Sequence, residues 1–177
     1  MNEMKAILEA LLFASDTPLA LPRILEILKG HEVAKAELTT MLTELKEEYE
    51  TRRGGFYLQE VAGGYQFRTR PDLAPWIKQL KAARPAMLTP AALETLAVVA
   101  YRQPVVKAEV DQVRGVDVGG VLRGLLERKL VRIVGRKDVP GKPILYGTTK
   151  KFLEVFNLKD LSELPTLREM KSMRNDF

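Results

Sequence analysis

Residues 88–149, LTPAALETLAVVAYRQPVVKAEVDQVRGVDVGGVLRGLLERKLVRIVGRKDVPGKPILYGTT, read as three short helices followed by a basic β-hairpin. Thr89-Pro90 supplies an N-cap followed by proline at the first helical position. Leu93, Leu96, Ala97 and Ala100 recur on one face of the helix it opens, and Pro104 ends it. A second helix is predicted from about Lys107 to Arg114, stopping at Gly115. Val118, Val121, Leu122, Leu125 and Leu126 make the stripe of a third. Residues 131–134 and 143–146 read as strands around the turn-forming run 137–142. Three helices and then a hairpin is the order of a winged helix-turn-helix.

The same order precedes it. Met4, Ile7, Leu8, Leu11 and Leu12 fall at helical spacing, and Ser15-Asp16-Thr17-Pro18 closes that segment. Pro22 opens a second helix with Ile24, Leu25 and Leu28 inward and Gly30 as its stop. Leu38, Met41, Leu42, Leu45 and Tyr49 trace a third. Residues 56–61 and 65–68 then flank Gly63-Gly64, a pair suited to a tight hairpin turn. The predicted fold class is therefore α+β, mostly helical, with two tandem winged-helix domains at 1–84 and 85–165. Residues 71–80 read as a helix that docks Trp76 and Ile77 on the first domain, 82–86 as a linker, and 166–177 as a flexible tail.

The chain has 177 residues, no cysteine and one histidine, His31, in a predicted loop. Disulfides and thiolate metal sites are excluded, and a lone loop histidine offers too few ligands for zinc. No apolar run approaches the roughly 20 residues of a membrane span. The net charge of +5 is uneven: residues 1–84 hold 12 Lys+Arg against 12 Asp+Glu, and residues 85–177 hold 16 against 11. Any polyanion contact belongs to the second half.

No catalytic set, cofactor site or metal site is expected. The stretch from Gly135 to Lys142 has five residues between its glycines, Pro143 in place of Ser or Thr, and a following strand instead of a helix, so it fails as a phosphate loop. Glu109, Asp111 and Asp117 read as helix-surface and capping groups rather than as ligands or acid–base pairs.

A helix-turn-helix reads DNA with the outer face of its third helix. In the first domain that face carries Glu37, Glu44, Glu47, Glu48 and Glu50, which repel phosphates. In the second it carries Gly119, Gly120, Arg123, Gly124 and Glu127, of which only Arg123 suits base readout. Three glycines in a helix cost about 1 kcal/mol each relative to alanine. Close approach of another backbone would compensate, either within the domain or from a partner chain. On the wing, Arg132, Arg136, Lys137 and Lys142 fit weak phosphate contact or a solvated hairpin.

The blocks ALETLA, AYRQP, LLERKLVRIVGRKDVPGKP and LYGTT, with ILEALLFASDTPL and GGYQFRT nearer the start, resemble the segregation and condensation protein B family of bacterial condensin subunits. The resemblance implies homodimerisation through the N-terminal domain. It also implies binding of the kleisin ScpA and, through it, of the structural-maintenance-of-chromosomes (SMC) protein. The implied setting is cytoplasmic and nucleoid-associated, without membrane contact and with at most weak, non-specific DNA contact. The partner-binding surface it implies includes Leu93, Leu96, Tyr101, Arg102, Gln103, Gly119, Gly120 and Arg123. The alternative left by the basic wing is a winged-helix transcriptional regulator that binds DNA.

Overall fold

The computed structural model describes residues 3–31, 33–80, 87–166 and 169. The linker expectation at 82–86 and most of the tail expectation at 166–177 fall outside them. The chain is α+β with small sheets and divides into two compact units, residues 1–84 and 85–177.

In the first unit, α1 (Glu3–Ala14), α2 (Leu21–Ile27) and α3 (Lys35–Arg52) precede a hairpin of β1 (Phe56–Val61) and β2 (Gly64–Thr69). The predicted stripes bury Leu8, Leu12, Ile24, Leu28, Leu38, Leu42 and Leu45 in one core, which Leu58 and Tyr65 complete from the hairpin. Tyr49, Phe56 and Phe67 pack with edge-on geometry beside it, Tyr49 to Phe67 at 4.8 Å between ring centroids.

The hairpin turn lies one residue earlier than the glycine pair suggests. Ala62 and Gly63 hold the positive φ angles of 52° and 72°, while Gly64 already pairs with Val61. Gly64 has a different task. Leu19 bridges to Tyr65 there, and a Cβ on Gly64 would lie 2.8 Å from the Leu19 carbonyl carbon.

A 3-10 turn (Pro71–Leu73) leads into α4 (Ala74–Leu80). The expected docking of Trp76 on the first domain does not occur, for the residue is 65% exposed. Ile77, by contrast, is half-buried, so the two apolar neighbours do not share one environment.

The second unit runs α5 (Pro90–Arg102), β3 (Val105–Val106), α6 (Lys107–Arg114), α7 (Gly119–Glu127), β4 (Val131–Arg136), β5 (Ile144–Thr148) and α8 (Lys150–Val155). The sheet order β3-β5-β4 contains a strand too short to announce itself by alternation. On α5 the inward face is turned from the predicted one: Thr95, Leu96, Val99 and Ala100 are buried, while Leu93 and Ala97 are exposed. Thr95 is tolerated inside because its hydroxyl donates to the Ala91 carbonyl at 2.8 Å.

Candidate partner-docking surface

The α6–α7 corner is built by carboxylates. Asp111 accepts from the Val118 N–H at 2.9 Å and from Lys107 Nζ at 2.6 Å, so the end of α6 caps the start of α7. Lys107 also pairs with Asp117, whose Oδ1 accepts from the Gly119 N–H at 3.2 Å. These bonds, the lysine's first, hold the Asp111 and Asp117 carboxyls below their ordinary value. Glu109 caps α6 through the Val106 N–H at 3.3 Å. Its other oxygen takes Lys137 of the wing at 2.6 Å, the chief cause of its own lowered pKa.

The three glycines separate into two kinds. A Cβ on Gly119 would sit 3.1 Å from Lys107 Cε, so this glycine serves packing within the unit. Cβ atoms on Gly120 or Gly124 would meet nothing within 4 Å among the described residues. One helical turn apart, they leave bare backbone facing outward. Beside Gly124 runs a groove of about 160 Å³ between α5 and α7, lined by Leu88, Thr89, Ala92, Val121, Leu125 and Arg128. Leu93, 44% exposed, and Arg123 are also open on these two helices.

Two expected contact residues have other roles. Leu96 is 1% exposed and belongs to the core, so no partner reaches it without unfolding α5. Gln103 is a structural clasp: its Oε1 accepts from the Thr148 N–H at 2.7 Å and the Thr148 hydroxyl at 3.0 Å, and its Nε2 donates to the Ala100 carbonyl. Tyr101 and Arg102 are exposed, although the Tyr101 hydroxyl already donates to the Pro165 carbonyl at 2.6 Å. Sequence reasoning missed Arg128 as a groove residue. Its place four residues after Gly124 was the available signal.

The basic wing is largely engaged with its own chain. Arg132 Nε donates to the Thr148 carbonyl at 3.2 Å, Arg136 to the Lys142 carbonyl at 3.1 Å, and Lys137 to Glu109. Among the described residues no cluster of His, Asp or Glu could hold a metal ion, and no helix is long and apolar enough to cross a membrane.

Residues 6–167 match the family described as the segregation and condensation complex subunit ScpB. Segregation and condensation protein B of Syntrophotalea carbinolica is 49% identical over 98% of this chain and 87% of its own length. The chain belongs to the ScpB family. Among solved structures, ScpB from Mycobacterium tuberculosis is 39% identical over 89% of this chain and 96% of that one, with a TM-score of 0.40. A dimer of an ScpB N-terminal domain complexed with ScpA peptide is 36% identical over 44% of this chain and 93% of that one, with a TM-score of 0.39. The relatives bear the name segregation and condensation protein B, not that of a transcriptional regulator.

Proposed function

We propose that both units are winged helices and that the chain is a non-enzymatic, dimeric subunit of an SMC–kleisin complex. In this reading the second unit binds the kleisin ScpA, which links it to SMC and so supports chromosome condensation and segregation in the cytoplasm, at the nucleoid. Membership of the ScpB family supports the assembly. The observation that carries the docking surface is the bare face of α7, where Gly120 and Gly124 meet no neighbour and the α5–α7 groove lies alongside. A helix free of side chains on one face admits another backbone closely.

The occupant would pack on Leu93, Gly120, Gly124 and the groove walls, with Arg123 and Arg128 meeting acidic or carbonyl groups. Gly119, Tyr101 and Arg102 would position this surface. Homodimerisation is assigned to the first unit, where Phe13, Trp76 and Leu80 are apolar and exposed. Contact between DNA and Arg132, Arg136, Lys137 and Lys142 is assigned a weak, salt-sensitive character, because Lys137 is already paired with Glu109 and both arginines donate to backbone carbonyls.

The decisive experiment is size-exclusion chromatography of the chain with the purified middle segment of the kleisin. Co-elution at micromolar concentration is expected, and separate elution would sink the proposal. A parallel DNA titration at two salt concentrations is expected to give weak binding that salt abolishes.

A further inference from the structure

The second unit carries another groove, which shares no lining residue with the first. It holds about 380 Å³ between Gln103, Pro104, Val134, Leu145, Gly147 and Leu161. Its walls are fixed. Gln103 is held by three hydrogen bonds, and a Cβ on Gly147 would lie 2.9 Å from Val134 Cγ1 and 3.0 Å from Gln103 Oε1. Val134 and Leu161 stay partly open to solvent although both are apolar.

Residues 161–165 run past this place. Leu161 lines the groove, and four residues later the Pro165 carbonyl is tied to the Tyr101 hydroxyl, two residues before Gln103. Thr166 and Glu169 then form a reciprocal capping pair. The Thr166 N–H donates to Glu169 Oε2 at 2.6 Å, and the Glu169 N–H donates to Thr166 Oγ1 at 3.3 Å. Such a pair is the signature of a helix start. Beyond it Leu167, Met170, Met173 and Phe177 recur at three- and four-residue spacing, with Arg168, Lys171, Ser172 and Asn175 between them. That is the period of an amphipathic helix.

We propose that residues 167–177 dock as a helix in this groove, laying Leu167, Met170 and Met173 against Val134, Leu145 and Leu161. The proposal goes beyond the kleisin assignment and does not depend on it. Methionines suit a groove of irregular shape, because the unbranched thioether adapts to gaps. The anchor at Pro165 makes docking intramolecular, at an effective concentration on the order of millimolar, so modest apolar burial suffices.

The chain has no cysteine, so introduced thiols report without background. The test is oxidation of the full chain carrying Val134→Cys and Met170→Cys, compared with Leu93→Cys and Met170→Cys. Leu93 lies eight residues back along α5 from Tyr101, roughly 12 Å away. The expected result is an intramolecular disulfide in the first pair, formed about tenfold faster than in the second and independent of protein concentration. Equal rates in the two pairs would overturn the proposal. A disulfide that forms only between chains would overturn it in favour of a second copy in the groove. In a second measurement, Met170→Asp with Met173→Asp is expected to raise hydrogen exchange at 134 and 145–147 while the cores stay protected. Unchanged exchange there would count equally against it.

Discussion

The third helices of the two units hold the same place in the element order and present opposite exteriors. The 18-residue α3 has no glycine, and it settles its own polar surface. Lys5 reaches Glu44 and Glu48, and the hydroxyls of Thr39, Thr40 and Thr43 bond back to carbonyls one turn earlier. The nine-residue α7 carries three glycines, and two of them meet nothing. The buried stripe fixes that each is a third helix. The outer residues decide whether that helix covers itself with side chains or leaves backbone bare.

The largest test of this contrast separates core from surface. Leu96→Ala empties a fully buried site on α5 and is expected to destabilise the second unit by about 2–5 kcal/mol. Thermal melting followed by hydrogen exchange reads it, with loss of protection centred on residues 87–166. If the variant melts like the parent yet loses kleisin binding, Leu96 is a contact after all, and the core described for α5 is wrong.

Glycine substitutions sharpen the comparison next, because adding a side chain should have opposite signs at Gly64 and Gly124. Gly64→Val forces a side chain into the Leu19 backbone and is expected to cost the first unit about 1–3 kcal/mol. Gly124→Ala adds a methyl where nothing stands, inside a helix, and should stabilise the second unit by about 0.5–1 kcal/mol. The same methyl should weaken kleisin-segment affinity by about tenfold, equivalent to about 1.4 kcal/mol. Chemical denaturation and a binding titration give the two numbers. A stabilised variant with unchanged affinity would detach the glycine face from docking.

Much of this was legible in the sequence because helices of three turns declare their buried side by period. Leu38, Met41, Leu42 and Leu45 needed no other information, and α6 ends where Gly115 adopts its left-handed φ of 71°. The errors share a physical origin. The apolar residues Leu93, Leu96, Ala97 and Ala100 alone defined the expected face of α5, whereas Thr95 joins the buried side because its hydroxyl bonds to the Ala91 carbonyl. Two adjacent glycines both allow a turn, so only the approach of Leu19 distinguishes Gly63 from Gly64. The family resemblance offered Gln103 as a contact, and a clasp across 45 residues leaves no local pattern to say otherwise. The candidate surface was half legible: glycine spacing pointed to α7, but only the folded neighbourhood separates the packed Gly119 from the open Gly120.

The smallest expected effects are electrostatic, and they again divide the units. In the first, burial and then the hydrogen bond to Glu9 raise the Tyr49 hydroxyl to about 12. Its bonds to Glu44 and Glu48 raise Lys5 above its ordinary value of 10.5. A group raised on folding contributes below its unfolded pKa and loses that contribution as pH rises through the folded one. The α1–α3 contact should therefore loosen in alkali, from about pH 10 upward. In the second unit Lys107 and then the Val118 N–H depress Asp111 below 3.8. A group depressed on folding contributes above its unfolded pKa and is lost as pH falls through the folded one, so the α6–α7 corner should loosen in acid, below about pH 4. Asp111→Asn keeps the shape of the cap and removes the titration. Exchange of the Val118 amide as a function of pH is expected to lose its acid limb in this variant while Tyr49 titrates unchanged. An acid limb that persists would place the sensitivity on Asp117 or Glu109 and leave Asp111 as a geometric cap alone.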